Sequence, residues 1–144
     1  WSSKFFYSLL ISGVVLSIDQ LTKLLAPAFG FAVNINAGVS FGMMSGVSAI
    51  LLVVLLFIIL KMFYAQLPPG VLGLFAGSAV SNLLDRAIYG GVQDWISVQI
   101  GGLHIQNNLA DWMLLTAVLA AVVQFTHGKH RKNTSNAANN SHPF

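Results

Sequence analysis

Apolar residues run almost without interruption from Phe5 to Leu25, from Val47 to Ala65, from Val71 to Tyr89 and from Leu109 to Thr126. Runs of about 20 residues are the length at which an α-helix crosses a hydrocarbon layer of about 30 Å, so the pattern predicts four spans. Between Leu24 and Leu60 no residue is charged, yet Pro27, Gly30, Gly38, Gly42 and Gly46 interrupt the run and exclude one continuous helix. Pro68-Pro69-Gly70 marks a tight turn before span three, whose Gly73, Ala76, Gly77, Ser78, Ala79 and Ser81 allow a neighbouring helix to approach closely. Two segments alternate with a period of two instead. Residues 31–41 predict a short strand with one polar face, and Val92 to Ile100 predicts another. The expected architecture is an all-α membrane protein, a four-transmembrane-helix bundle with a small β platform and a loop or lid built from residues 31–41 and 92–106. Residues 1–127 form its single domain, and the polar, Asn-rich residues 128–144 are expected to be a disordered tail.

Composition agrees: 56% of residues are hydrophobic, 8% are charged and the mean hydropathy is +0.74, which excludes an ordinary soluble domain. The absence of cysteine excludes disulfides, thiol catalysis and Cys-based metal sites. His104, His127, His130 and His142 have no ligand spacing, so no metal and no cofactor are expected. The net charge of +3 comes largely from Lys129, Arg131 and Lys132, which reads as a membrane-orientation signal rather than a nucleic-acid surface. With an even number of spans, Lys4, Lys61 and that basic cluster place both termini in the cytoplasm. A start at Trp1 in place of Met suggests a trimmed N-terminus.

The four acidic residues are all aspartates, and all lie at the ends of apolar runs: Asp19, Asp85, Asp94 and Asp111. Span parity puts all four at the outer membrane boundary. An ionised Asp costs roughly 2.5 to 3.5 kcal/mol at mid-bilayer on insertion scales, so each one calls for a reason. Asp94 shares the apolar side of its strand with Val92, Ile96 and Val98; the alternative is an edge position with a twisted register. Asp111 follows Asn108 by three residues, which also fits a helix N-cap with an acid in the first turn. Asn82, Asp85 and Arg86 share one helical face, and Asp19 and Lys23 are spaced for an i, i+4 ion pair that could be purely structural.

These residues resemble the motifs of the lipoprotein signal peptidase (signal peptidase II) family. Asp19-Gln20-Leu21-Thr22-Lys23 is similar to its first motif and Asn36-Ala37-Gly38-Val39-Ser40-Phe41-Gly42 to its second. Ser81-Asn82-Leu83-Leu84-Asp85-Arg86, followed by Gly90-Gly91-Val92-Gln93-Asp94, resembles the third, and Asn108-Leu109-Ala110-Asp111 the fourth. The likeness covers about residues 19 to 115. It departs at Ser81, where the family usually has Gly, at Gln93, where it has Val, and at Asn107, where an aromatic precedes the Asn.

The resemblance implies an aspartyl endopeptidase of the bacterial cytoplasmic membrane that removes the signal peptide of diacylglyceryl-modified prolipoproteins at the extracytoplasmic face. Asp94 and Asp111 would be its catalytic pair. Asn36, Asn82, Arg86 and Asn108 would position substrate and dyad, with Asp19, Lys23, Asp85 and Gly38 as structural support. Two adjacent carboxylates cannot easily both ionise, so one activates water while the other donates to the developing oxyanion. The implied partners are lipid-modified prolipoprotein and membrane lipids, with a cyclic peptide inhibitor as a further ligand; the chain is expected to act as a monomer.

Three other readings compete. Gly77-Ser78 with His127 as base suggests a serine intramembrane protease, although His127 lies at the far end of span four. A small transporter or scaffold would spread its acids through membrane depth instead of clustering them at one boundary. A catalytically impaired relative of the peptidase is prompted by Gln93 and Asn107.

Overall fold

The computed structural model describes residues 2–37 and 49–140. The order is α1 (Ser3–Leu25), a 3-10 turn (Ala26–Phe29), β1 (Asn34–Asn36), α2 (Ala49–Phe63), α3 (Pro69–Tyr89), β2 (Val92–Asp94), β3 (Ile96–Ile100), β4 (Leu103–Asn107) and α4 (Leu109–Asn140). Among the described residues, three segments are long and apolar enough to cross a membrane: Ser3–Phe29, Pro69–Tyr89 and Leu109–Thr126. The described part of α2 is apolar but shorter.

The molecule is polar inside and apolar outside. Its largest fully buried side chains are Lys23, Asn108, Asp19, Asp85, Ser78 and Ser81, while Phe6, Leu9, Phe57, Ile88 and Leu119 are exposed. In water that arrangement would forfeit the hydrophobic driving force; in lipid the apolar shell faces hydrocarbon and the polar groups find one another.

Helices α1 and α3 make the principal contact. A Cβ on Gly77 would stand 2.6 Å from the Ser12 carbonyl oxygen, and one on Gly73 would stand 2.6 Å from Ile11 Cβ, so the small-residue stripe sets this close approach. Pro69 begins α3 after the extended Pro68, and Gly90 ends it at φ 75°, turning the chain directly into β2.

The strands form two antiparallel pairs. β1 pairs with β2 in the register Asn34 with Asp94 and Asn36 with Val92, and β3 pairs with β4 as a hairpin. Gly101 (φ 55°) and Gly102 (φ 87°) supply the two positive-φ positions of its tight turn.

Two expectations change. The strand expected from Val92 to Ile100 is broken at Trp95, whose N–H bonds the Asn107 carbonyl at 3.1 Å. Of the strand expected over residues 31–41, Asn34–Asn36 forms among the described residues 31–37; Phe31 N–H instead returns to Ala26 O at 3.0 Å and closes the 3-10 turn. Residues 38–41 lie outside the described residues. Residues 128–140 carry on the helical backbone of α4.

Candidate active site

The four aspartates belong to one connected network. Its deeper half is an ion triad: Lys23 Nζ lies 2.5 Å from Asp19 Oδ2 and 2.8 Å from Asp85 Oδ2, with all three side chains sealed from solvent. The expected helical pair of Asp19 and Lys23 is therefore present, and Asp85 of α3 joins it. Ser81 Oγ donates to Asp19 Oδ2 at 2.6 Å, and Gln20 Nε2 donates to Ser81 Oγ and to Asp85 Oδ1, each at 2.9 Å. Two backbone donors complete it, Ala110 N–H to Asp19 Oδ1 at 2.7 Å and Gln93 N–H to Asp85 Oδ2 at 3.0 Å. Buried charge is tolerated only when paired and hydrogen-bonded, and every carboxylate oxygen of the triad has a donor.

The shallower half contains Asp94 and Asp111, each held by asparagine. Asp94, only 2% exposed, accepts from Asn108 Nδ2 at 2.9 Å through Oδ1 and from Asn36 Nδ2 at 3.0 Å through Oδ2. Asp111 accepts from Asn82 Nδ2 at 2.8 Å through Oδ1. Its Oδ2 accepts the Asn108 N–H at 3.4 Å, while Asn108 Oδ1 accepts the Asp111 N–H at 3.0 Å. That exchange is a reciprocal cap at the start of α4. The capping alternative for Asp111 is thus part of the structure, but it occupies one oxygen and leaves the other to Asn82.

Asn108 consequently touches both acids, and Asn82 joins the two halves because its Oδ1 faces Lys23 Nζ at 3.4 Å. Arg86 Nη1 donates to the Asn82 carbonyl at 3.1 Å, one helical turn back. Gly38 lies outside the described residues.

A cleft of about 400 Å³ opens beside this network. Asn36, Arg86, Asn107 and Asp111 line its polar end; Val98, Ile100 and Ile105 of the hairpin and Trp112, Leu115 and Val118 of α4 form apolar walls. Neither Asp19, Lys23 nor Asp85 reaches it. Three buried polar atoms have no partner among the described residues: Ser78 Oγ, Trp95 Nε1 and Asn107 Oδ1.

The sequence assigned no role to Gln20, and it marked Ser81 only as a small residue of span three and a departure from a motif, and Gln93 only as a departure. A polar side chain within an apolar run, one position from an aspartate, was the available signal for Gln20.

Fold and site together define a multi-pass membrane protein organised around a buried carboxylate centre. The chain matches the family described as Signal peptidase (SPase) II over residues 11–127, and it belongs to that peptidase family. It is 30% identical to the lipoprotein signal peptidase of Moorella thermoacetica over 133 residues, covering 77% of this chain and 87% of that one. The same identity holds with the lipoprotein signal peptidase of Methylobacterium radiotolerans over 151 residues, covering 87% and 88%. Its fold is similar to a bacterial membrane enzyme solved by the in meso method at 2.3 Å resolution, with a TM-score of 0.68, 24% identity and 90% of each chain covered. A second such enzyme, solved at 1.9 Å, gives a TM-score of 0.65 at 23% identity over 82% of this chain and 91% of that one.

Proposed function

We propose that this chain removes the signal peptide of diacylglyceryl-modified prolipoproteins as an aspartyl endopeptidase, with Asp94 and Asp111 as its catalytic pair. The observation that carries this reading is that Asn108 meets both carboxylates, donating from its side-chain Nδ2 to Asp94 of β2 and from its backbone N–H to Asp111 in the first turn of α4, beside a cleft that Asp111 lines.

The chemistry follows from the shared site. The reaction needs one carboxyl group of the pair ionised and the other protonated. The ionised group takes a proton from water as the water oxygen bonds the scissile carbonyl carbon, and the protonated group gives its proton to the carbonyl oxygen. Collapse of the resulting diol, with a proton passing to the departing nitrogen, breaks the C–N bond. Asn36, Asn82 and Asn108 hold the acids in place, and Arg86 at the polar end of the cleft is placed to meet substrate carbonyls.

The cleft's apolar walls suit a substrate that bears acyl chains. In this reading α2 is the fourth span, both termini are cytoplasmic, and the pair lies at the extracytoplasmic boundary with the strand pairs as a platform over it. Ile100 and Leu103, 62% and 67% exposed beside the hairpin turn, support contact between that hairpin and the lipid surface. The direct test is cleavage of a lipidated prolipoprotein by Asp94→Asn and Asp111→Asn separately. Each is expected to lose turnover, and wild-type turnover by either one removes it from the pair.

A further inference from the structure

We propose that Lys23 is a positioning residue that fixes the relative placement of the segments carrying Asp94 and Asp111, an inference that rests on those two residues being the catalytic pair. Lys23 is 2% exposed and does not line the cleft. Its ammonium is nevertheless the common origin of three short arms, each ending beside or on one of the two acids.

The first arm runs through Asp19. One oxygen meets Lys23 at 2.5 Å, and the other accepts the N–H of Ala110, the residue immediately before Asp111. The second runs through Asp85, whose Oδ2 meets Lys23 at 2.8 Å and accepts the N–H of Gln93, the residue immediately before Asp94. The third runs through Asn82, which faces Lys23 with Oδ1 and donates from Nδ2 to Asp111 itself. The arms come from α1 and α3 and converge on β2 and on the start of α4, two segments separated by a hairpin in the chain.

A helical ion pair that only stabilised α1 would end at Asp19. Here the same ammonium recruits a second carboxylate from α3, and the two carboxylates act as matched backbone clamps one residue upstream of each acid. The third arm also has a polarity. An ammonium is a donor only, so it holds the Asn82 oxygen toward itself and leaves the amide nitrogen for Asp111. Without Lys23 that amide is free to turn, which would set its oxygen against the Asp111 carboxylate. Because proximity effects depend steeply on geometry, loosening the clamps should slow the chemical step far more than it weakens substrate binding.

The test uses two variants of the full chain purified in detergent. Lys23→Arg keeps the charge but changes the length and donor geometry. The pair Lys23→Met with Asp85→Asn removes one positive and one negative charge together, so the buried net charge is unchanged. Thermal unfolding measures the folded fraction of each, and kcat and KM on a lipidated prolipoprotein are then expressed per folded enzyme. Whichever variant folds is expected to lose about 100-fold in kcat with KM within about threefold of wild type. Wild-type kcat in either folded variant overturns the positioning role. Asp94→Asn and Asp111→Asn are assayed alongside. Wild-type turnover in one of those overturns the catalytic assignment, whereas their inactivity together with normal kcat in a folded Lys23 variant overturns this inference alone.

Discussion

Asn108 and Asp94 meet inside the protein, amide nitrogen to carboxylate oxygen, at 2.9 Å, with Asn108 wholly buried and Asp94 nearly so. The same asparagine caps α4, so Asn108→Ala removes two interactions at once. Losing the cap should cost about 1 kcal/mol, and losing a hydrogen bond to a buried carboxylate about 1.5 to 3 kcal/mol. The unfolding midpoint in detergent should fall accordingly, and turnover with it. Asn108→Asp separates the two effects, because aspartate still caps but at neutral pH turns an acceptor toward Asp94. Its activity relative to wild type should recover as pH falls and the new carboxyl gains a proton to donate. An activity profile parallel to wild type at every pH would show that the amide donor is not needed.

Gly77 faces Ser12 across the α1–α3 contact with no room for a side chain. The obstructing atom is a backbone oxygen 2.6 Å from where a Cβ would sit, so it cannot swing aside as a flexible side chain could. Gly77→Val should therefore force the helices apart, destabilising the fold by about 1 to 3 kcal/mol or more. Because Asp19 and Lys23 lie on α1 and Asp85 on α3, the ion triad should loosen as well. Thermal unfolding and turnover of Gly77→Val and of the milder Gly77→Ala measure both consequences.

The helices and the acids were legible in the sequence for different reasons. Apolar runs of membrane length mark α1, α3 and α4 because lipid requires every backbone group to bond within its own helix. The aspartates are conspicuous because so few polar groups are tolerated there. Local spacing related Lys23 to Asp19 and Asn108 to Asp111, but it could not reveal that Asp85 joins Lys23, since the two come from different helices. The strand limits were also hidden. Phe31 has strand-like alternation, but its N–H is claimed by the preceding 3-10 turn. The hairpin had a readable signal that went unused: Gly101-Gly102 between two β-prone segments is the dipeptide that a tight two-residue turn requires.

Ser81 stands where the resembled family usually has glycine, and here its hydroxyl sits 2.6 Å from Asp19 and accepts from Gln20. Removing the hydroxyl with Ser81→Ala leaves Asp19 with Lys23 and Ala110 as donors and deprives Gln20 of one acceptor. A loss of about 1.5 to 3 kcal/mol is expected, the range for a hydrogen bond to a charged group. KM for the lipidated substrate should stay near wild type, because Ser81 does not line the cleft. Denaturant or thermal unfolding beside steady-state kinetics checks both halves. An unchanged midpoint would mean that Asp19 replaces the lost donor without cost.

Asn107 presents the opposite case, a polar group whose removal should help the fold. It is 7% exposed, its Oδ1 is buried without a partner among the described residues, and it occupies the position where the resembled family carries an aromatic side chain. A buried carbonyl left unsatisfied costs about 1 to 3 kcal/mol relative to one that is bonded. Leucine shares the γ-branched shape of asparagine and carries no polar atom into the site. Asn107→Leu should therefore raise the unfolding midpoint, by roughly 3 to 5 °C for each kcal/mol gained in a chain of this size. The backbone carbonyl of residue 107 still receives the Trp95 N–H, so the junction between β2 and β3 is retained. The substitution also makes the polar end of the cleft more apolar, beside Asp111 and Arg86. If the Asn107 amide is only a structural burden, turnover on lipidated prolipoprotein should match or exceed wild type. If turnover falls while the midpoint rises, the side chain gives up stability for a contact with substrate. A lower midpoint would contradict the orphaned carbonyl itself.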